Sequence, residues 1–221
     1  MAINQYDDEE SLRLNVARVG ARSLIGGLWD RVGQLQADYL IDRGLLPRHR
    51  FLDLGCGCLR AGVKLVPWLE PGNYFGIDIS PTLLDEGRKE LTQLGLSGRV
   101  PTYNLRATGD FDIDGFPPFD FGIAQSVFTH LPLVLLETCL RRIRPNFEDG
   151  GSFFATFFIG PPNVSGFLQN CGKPTHSDRD PFHFSVSDIS SSAEAAGWQT
   201  RWIGEWGHPR DQQLAEFRVA S

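Results

Sequence analysis

From residue 50 onward the chain alternates short apolar runs with longer stretches in which apolar residues recur at helical spacing. Runs of strand length fall at 50–54, 74–79, 102–105, 121–127, 152–158, 199–203 and 214–219. The run at 152–158 is almost continuously apolar, as suits a strand inside a sheet. Helices are expected at 61–68, 81–94 and from Pro132 to about residue 143, where Leu133, Leu136, Leu140 and Ile143 share a face. Ser80-Pro81 sets an N-cap serine before a proline at the first helical position. Ser185 and Asp188 predict a capping box for a short helix that stops at Gly197. A long Pro- and Gly-rich loop is expected over 159–184. Upstream, 11–41 reads as helical, divided at Gly26-Gly27, with Leu28, Val32, Leu35 and Tyr39 on one apolar face.

Alternating strands and helices imply a mostly parallel α/β sheet. The connection 204–213 is too short for a right-handed parallel crossover, so the last strand should return antiparallel in a hairpin. At 221 residues the chain can bury a substantial core. It contains no apolar run long enough to span a bilayer, and its acidic, polar start is unlike a secretory signal. No membrane partner is therefore expected. Cys56, Cys58, Cys139 and Cys171 show neither a disulfide framework nor paired zinc spacing, which points to reduced thiols and a cytoplasmic protein. A net charge of −6 argues against a nucleic-acid partner, since phosphates call for a basic surface.

The chemistry concentrates in residues 50–80, RFLDLGCGCLRAGVKLVPWLEPGNYFGIDIS. They read as strand, glycine-rich turn, helix and second strand ending in an acid. Such a βαβ unit binds a nucleoside beyond the carboxyl ends of its strands. Gly55 and Gly57 let the backbone turn and approach a ligand with no Cβ between. Asp78 can accept both hydroxyls of a ribose in charge-assisted bonds. A dinucleotide site would need G-x-G-x-x-G, but the third glycine position is Arg60, and Asp53 sets negative charge near where a pyrophosphate would lie. A zwitterionic or cationic ligand suits these carboxylates better.

D-x-G-x-G followed about 25 residues later by an acid resembles the class I S-adenosylmethionine-dependent methyltransferases. The resemblance runs from about residue 46 onward, although the family often carries a third glycine where this chain has Leu59. It implies a Rossmann-like, seven-stranded, mostly parallel sheet with an antiparallel last strand, helices on both faces and an N-terminal helical segment. Residues 1–45 would form a helical lid segment, or pack on the sheet edge, and 46–221 the cofactor-binding domain. The implied cofactor is S-adenosyl-L-methionine. Asp53 would bond turn amides or the methionine ammonium, Asp78 would hold the ribose, and Ile79 would lie on adenine. Gly55, Cys56 and Gly57 would form the turn. Arg60 would reach the methionine carboxylate, or stay on a helix surface. Asp110-Phe111 would contact adenine, with Asp112 as a rival, and Gln125-Ser126 would approach the methionyl part.

For the methyl acceptor, the loops after the fifth strand and before the last carry His176, Asp178, Asp180, His183, Trp206, His208 and Arg210. Histidine titrates near working pH and suits removal of a hydroxyl proton. His208 is the first candidate, His183 the second, and His130 in SVFTHL the third, each against a structural or surface reading. No Asn/Asp-Pro-Pro-aromatic motif follows the fourth strand, and no metal-binding carboxylates stand there. The expectation is metal-independent O-methylation of a small hydroxylated metabolite or saccharide. A protein methyltransferase and a cofactor-binding, non-catalytic member of the fold are the alternatives.

Overall fold

The computed structural model describes residue 6 and residues 8–219, which form two compact units divided between Gly109 and Asp110. In the first, β1 (Phe51–Leu54), β2 (Tyr74–Asp78) and β3 (Leu105–Ala107) pair in parallel with β2 between the others. Every residue of β1 and β2 is buried, in keeping with their mainly apolar sequences, Asp53 and Asp78 apart. The third strand begins later than its run suggests. Residues 102–104 form a 3₁₀ turn after Pro101, and Asn104 Nδ2 there donates to the carbonyls of Gly72 and Tyr74, both at 2.9 Å.

Among the described residues three helices precede β1: α1 (Glu9–Val19), α2 (Ala21–Leu24) and α3 (Trp29–Asp42). The expected division at Gly26-Gly27 is present, and Gly20 adds a second break with φ of 82°. The buried face of α3 is Val32, Gly33, Gln36, Ala37 and Leu40, rotated from the expected one, and Leu28 is exposed. The cause is close backbone approach. A Cβ on Gly33 would stand 2.7 Å from the Arg60 carbonyl oxygen, so the small-residue stripe faces inward. Downstream, α4 is a short Gly62–Leu65 and α5 is Pro81–Gln93. The Ser80 cap is as the sequence foretells, its hydroxyl accepting from the Leu83 amide at 3.1 Å.

In the second unit, β4 (Phe119–Ala124) pairs in parallel with β5 (Phe147–Ile159), and α6 (Leu133–Ile143) connects them. Leu136, Cys139, Leu140 and Ile143 are its buried positions. The expected loop at 159–184 carries further strands instead: β6 (Ser165–Leu168) and β7 (Pro174–His176) form an antiparallel ribbon, and β8 (His183–Phe184) pairs with β5. These strands are too short to produce a readable alternation. After α7 (Val186–Ala195), capped by Ser185, β9 (Trp198–Gly204) and β10 (Gln213–Val219) form the expected hairpin. β10 runs antiparallel to β5 as well. The architecture is a mostly parallel, Rossmann-like α/β sheet with an antiparallel last strand, and β8 takes its strand count past seven.

Loss of the Ser80 cap should cost about 1 kcal/mol. Urea unfolding of Ser80→Ala should show a lower midpoint at unchanged slope, and an unmoved midpoint would mean that the cap contributes nothing.

Candidate active site

The glycine-rich turn between β1 and α4 adopts the backbone that its sequence requires. Gly55 and Gly57 have φ of 70° and 54°, in the left-handed region open to glycine. Leu59, where the resembled family often has glycine, also sits there at φ of 66°. A leucine in that conformation is strained by roughly 1–2 kcal/mol. Its side chain is fully buried, and two glycines make room for it. A Cβ on Gly62 would lie 2.9 Å from Leu59 Cβ, and one on Gly87 of α5 2.6 Å from Leu59 Cγ. The turn therefore keeps the path of a third glycine while carrying a leucine locked between two helices.

Asp78 closes the crossover. Its Oδ2 accepts from the Gly57 amide at 2.7 Å and its Oδ1 from the Ser80 amide at 2.9 Å. Each carboxylate oxygen retains accepting capacity, so a ribose can still be held there. Asp53 behaves differently from its expected bond to turn amides. It receives the Tyr74 hydroxyl at 2.5 Å, because Tyr74 stands beside it on the adjoining strand, and Asp78 takes the turn amide.

Burial is the largest influence on both acids and raises Asp53 to about 7 and Asp78 to about 6. The Tyr74 hydroxyl and the Arg60 charge pull Asp53 back, while the Ser80 and Gly57 amides pull Asp78 back. Cys56 and Cys58 are buried thiols pushed upward by desolvation, Cys58 to about 12, so neither is a nucleophile at neutral pH. Ile79 is half-exposed beside Asp78, open for stacking.

Arg60 turns to the N-terminal segment. Its Nη1 donates to the carbonyls of Ile25 and Gly27 at 3.2 and 3.3 Å. Ile25 lies against the turn, with Cγ2 3.2 Å from where a Gly57 Cβ would be. Leu12 and Ala21 pack with Cys58 and Leu83, and Arg22 grips Glu90 with two bonds of 2.7 and 2.6 Å. Glu9 accepts from the Ser80 hydroxyl at 2.7 Å and the Thr82 amide at 2.9 Å. The helical segment is thus fastened across the glycine-rich turn and the start of α5.

In the second unit, Asp110 is exposed and shares Arg142 with Asp112 and Asp114 at 3.6–4.0 Å. Surface pairs of this kind contribute about 0–1 kcal/mol. Phe111 is buried at φ of 61°. Gln125 and Ser126 follow β4 in a polar cluster. The Gln212 oxygen accepts from Gln125 Nε2, the Ser126 hydroxyl and the Thr156 hydroxyl at 3.0, 2.9 and 2.8 Å. His208 joins it, with Nε2 3.2 Å from Gln125 Nε2 and Nδ1 accepting from the Arg210 amide at 3.3 Å. Its ring stacks on Trp206.

The three histidines thus occupy different settings. His183 is buried, with Nδ1 2.8 Å from the Thr175 hydroxyl and Nε2 2.9 Å from the Pro161 carbonyl, fastening the ribbon beside β5. His176 bonds the Ser165 hydroxyl on the exposed ribbon. His130 differs from both, with Nδ1 2.7 Å from the Asp180 carboxylate and both side chains about a quarter exposed (22% and 25%). Sequence reasoning named Asp180 but did not pair it with His130, because 50 residues separate them. Tyr74, Thr156 and Gln212 were missed; only the polar run RDQQ before β10 offered a signal for Gln212. Among the described residues no group of three or more His, Cys, Asp or Glu is placed to hold a metal ion.

Residues 52–153 match the family model described as a methyltransferase domain. Over 107 residues the chain is 32% identical to the aklanonic acid methyltransferase DauC of Streptomyces sp., covering 47% of this chain and 45% of that protein. The chain spans less than half the length of the curated relatives it matches. An S-adenosylmethionine-dependent methyltransferase from Clostridium acetobutylicum superposes with a TM-score of 0.67 at 11% identity, over 95% of this chain and all of that one. Magnesium protoporphyrin IX methyltransferase from Synechocystis, solved with bound S-adenosylhomocysteine, gives 0.62 at 17% identity over 87% and 86%. Residues 52–153 thus match a methyltransferase-domain model, and the chain has the fold of these methyltransferase structures.

Two outcomes follow from this geometry. Gly87→Ala should destabilise by about 1–3 kcal/mol through overpacking, and by clearly less in a Leu59→Ala background. Equal costs in the two backgrounds would show that Leu59 does not fill that space. The folded carboxyl of Asp53 at about 7 lies above its ordinary 3.8, so the folded chain binds more protons than the unfolded one between those values. Its contribution to stability is fullest at the acid end and is lost as pH rises toward about 7. Asp53→Asn should therefore gain stability over the parent progressively through that window in ligand-free denaturation; a pH-independent difference would contradict it.

Proposed function

We propose that this chain is an S-adenosylmethionine-dependent methyltransferase that methylates a hydroxyl of a small metabolite or saccharide without a metal ion. The residues fit the cofactor. Two left-handed glycines bare the turn, Ile25 closes on it, and buried carboxylates stand where a pyrophosphate would be repelled. Gly55, Cys56 and Gly57 would line the nucleoside, Asp78 would hold the ribose and Ile79 would face adenine. Bound S-adenosylmethionine supplies an electrophilic methyl group on a sulfonium. The aklanonic acid methyltransferase match and the family model support methyl transfer as the reaction class.

The observation that carries O-methylation is the bond between His130 and Asp180. The carboxylate holds a proton on Nδ1, which leaves the lone pair on Nε2. With the methyl group supplied by bound cofactor, His130 would take the proton of an acceptor hydroxyl at Nε2. Alignment and that proton transfer are the protein's tasks. His208 and His183 are the rival candidates: His208 lies in the Gln125–Gln212 cluster, and His183 bonds the Thr175 hydroxyl and the Pro161 carbonyl. The partner is thus a small molecule rather than nucleic acid, in keeping with a net charge of −6.

Turnover with a labelled methyl donor against metabolite, saccharide and protein pools tests the reading. Label is expected in a small hydroxylated product, and label confined to protein would refute it. His130→Gln and Asp180→Asn should each lower kcat by roughly 10²–10⁴-fold; undiminished turnover in His130→Gln would remove the base. Calorimetric titration with S-adenosylhomocysteine should show tight binding that Asp78→Ala abolishes. Hydroxyl donors favour the ionised acid, so affinity should rise with pH through about 6, where Asp78 loses its proton. Preference for a nicotinamide dinucleotide would overturn the cofactor assignment.

A further inference from the structure

Ser126, two residues beyond β4, lies in the left-handed region at φ of 62°. A non-glycine residue there stores about 1–3 kcal/mol and persists only where its surroundings over-determine it. Here they do. Its amide donates to Thr156 Oγ1 at 2.8 Å, and its hydroxyl donates to Gln212 Oε1 at 2.9 Å. Thr156 is fully buried, and its own hydroxyl donates to the same Gln212 oxygen. Gln125 Nε2 is the third donor to that oxygen. Gln212 is held in turn, since its carbonyl accepts the Trp206 indole N–H at 2.9 Å.

Both members of the His130–Asp180 pair hang from this turn. The Ser126 carbonyl accepts the Thr129 hydroxyl at 2.8 Å, and the His130 amide donates to the Val127 carbonyl at 3.0 Å. On the other side, the Thr129 carbonyl accepts the Phe182 amide at 2.8 Å, two residues from Asp180. His130 approaches along the 126–130 segment, and Asp180 is fastened to that same segment through Phe182. A single side chain at the head of β10 therefore governs the turn from which the pair is suspended.

We propose that Gln212 is a positioning residue for the His130–Asp180 pair, acting through the left-handed turn at Ser126. Gln212 touches neither side chain of the pair in any bond above; its effect passes through Ser126, Thr129 and Phe182. The proposal rests on the base reading of His130 for its catalytic meaning, but the positioning itself is measurable on the protein alone. Gln212→Met keeps the length of the side chain and removes its acceptor, whereas Gln212→Glu keeps an acceptor oxygen at the same reach.

The experiment combines amide hydrogen exchange, nitrogen-15 spectra of the labelled histidine rings and turnover, with S-adenosylhomocysteine or substrate added as each requires. The His130 signal is assigned by its loss in His130→Gln. In the parent, His130 should show the Nδ1–H tautomer and Ser126 a protected amide. In Gln212→Met, Ser126 should exchange at least tenfold faster and His130 should become a mixture of tautomers. kcat should fall at least tenfold, with S-adenosylhomocysteine affinity within about twofold, and Gln212→Glu should regain most of each change. Should Gln212→Met not fold, Thr156→Val removes two bonds of the same cluster and serves in its place. A His130 tautomer unchanged by the substituted variant, while Asp180→Asn alters it, would overturn the proposal. Turnover retained in His130→Gln would instead overturn the base reading and leave the exchange and ring spectra to judge Gln212.

Discussion

The carboxylate of Asp78 is the constraint on which the first unit depends. By accepting the amides of Gly57 and Ser80 it joins the glycine-rich turn after β1 to the start of α5 after β2. Buried backbone donors need partners, and a charged acceptor satisfies two of them more strongly than a neutral one would. The same acid is the group that a ribose would address in the proposed reading. Burial holds its carboxyl near 6, at the edge of ionisation, where a hydroxyl-bearing ligand can favour the charged form. Asp53 stands deeper, at about 7 and tied to Tyr74, and serves the interior of the crossover more than its rim.

Around that crossover the N-terminal helices act as a strap. Arg60 holds two of their carbonyls, Arg22 grips Glu90, and Glu9 sits at the head of α5. Glu9 shares the Ser80–Thr82 neighbourhood with Asp78, and its charge is one of the influences raising that acid. A turn covered by its own chain is shielded from water, which strengthens the electrostatic interactions beneath it. The Arg60 guanidinium faces this strap.

In the second unit, strain and hydrogen bonding are matched in the same way. A left-handed serine two residues beyond β4 is stabilised by a threonine from β5 and a glutamine from the head of β10. The histidine–carboxylate pair lies on segments fastened to that turn, while His183 is spent on holding the ribbon. The three histidines differ in their bonded settings, and a residue's type alone does not make it a base.

Much of this was legible in the order of residues. Local signals settled the elements whose causes are local: the Ser80 and Ser185 caps, the glycines of the turn, the apolar runs of β1, β2 and β5, and the short hairpin before β10. Asp53, Asp78 and the turn could be singled out as a group because their spacing within one crossover is itself local. Tertiary structure alone decided what Asp53 bonds, that Leu59 could take a glycine's place because Gly62 and Gly87 yield space, and that His130 meets Asp180. Contacts between residues 20 to 80 positions apart leave no periodic trace, because they depend on how separately specified elements pack. The chain's letters name the candidates; packing determines their partners.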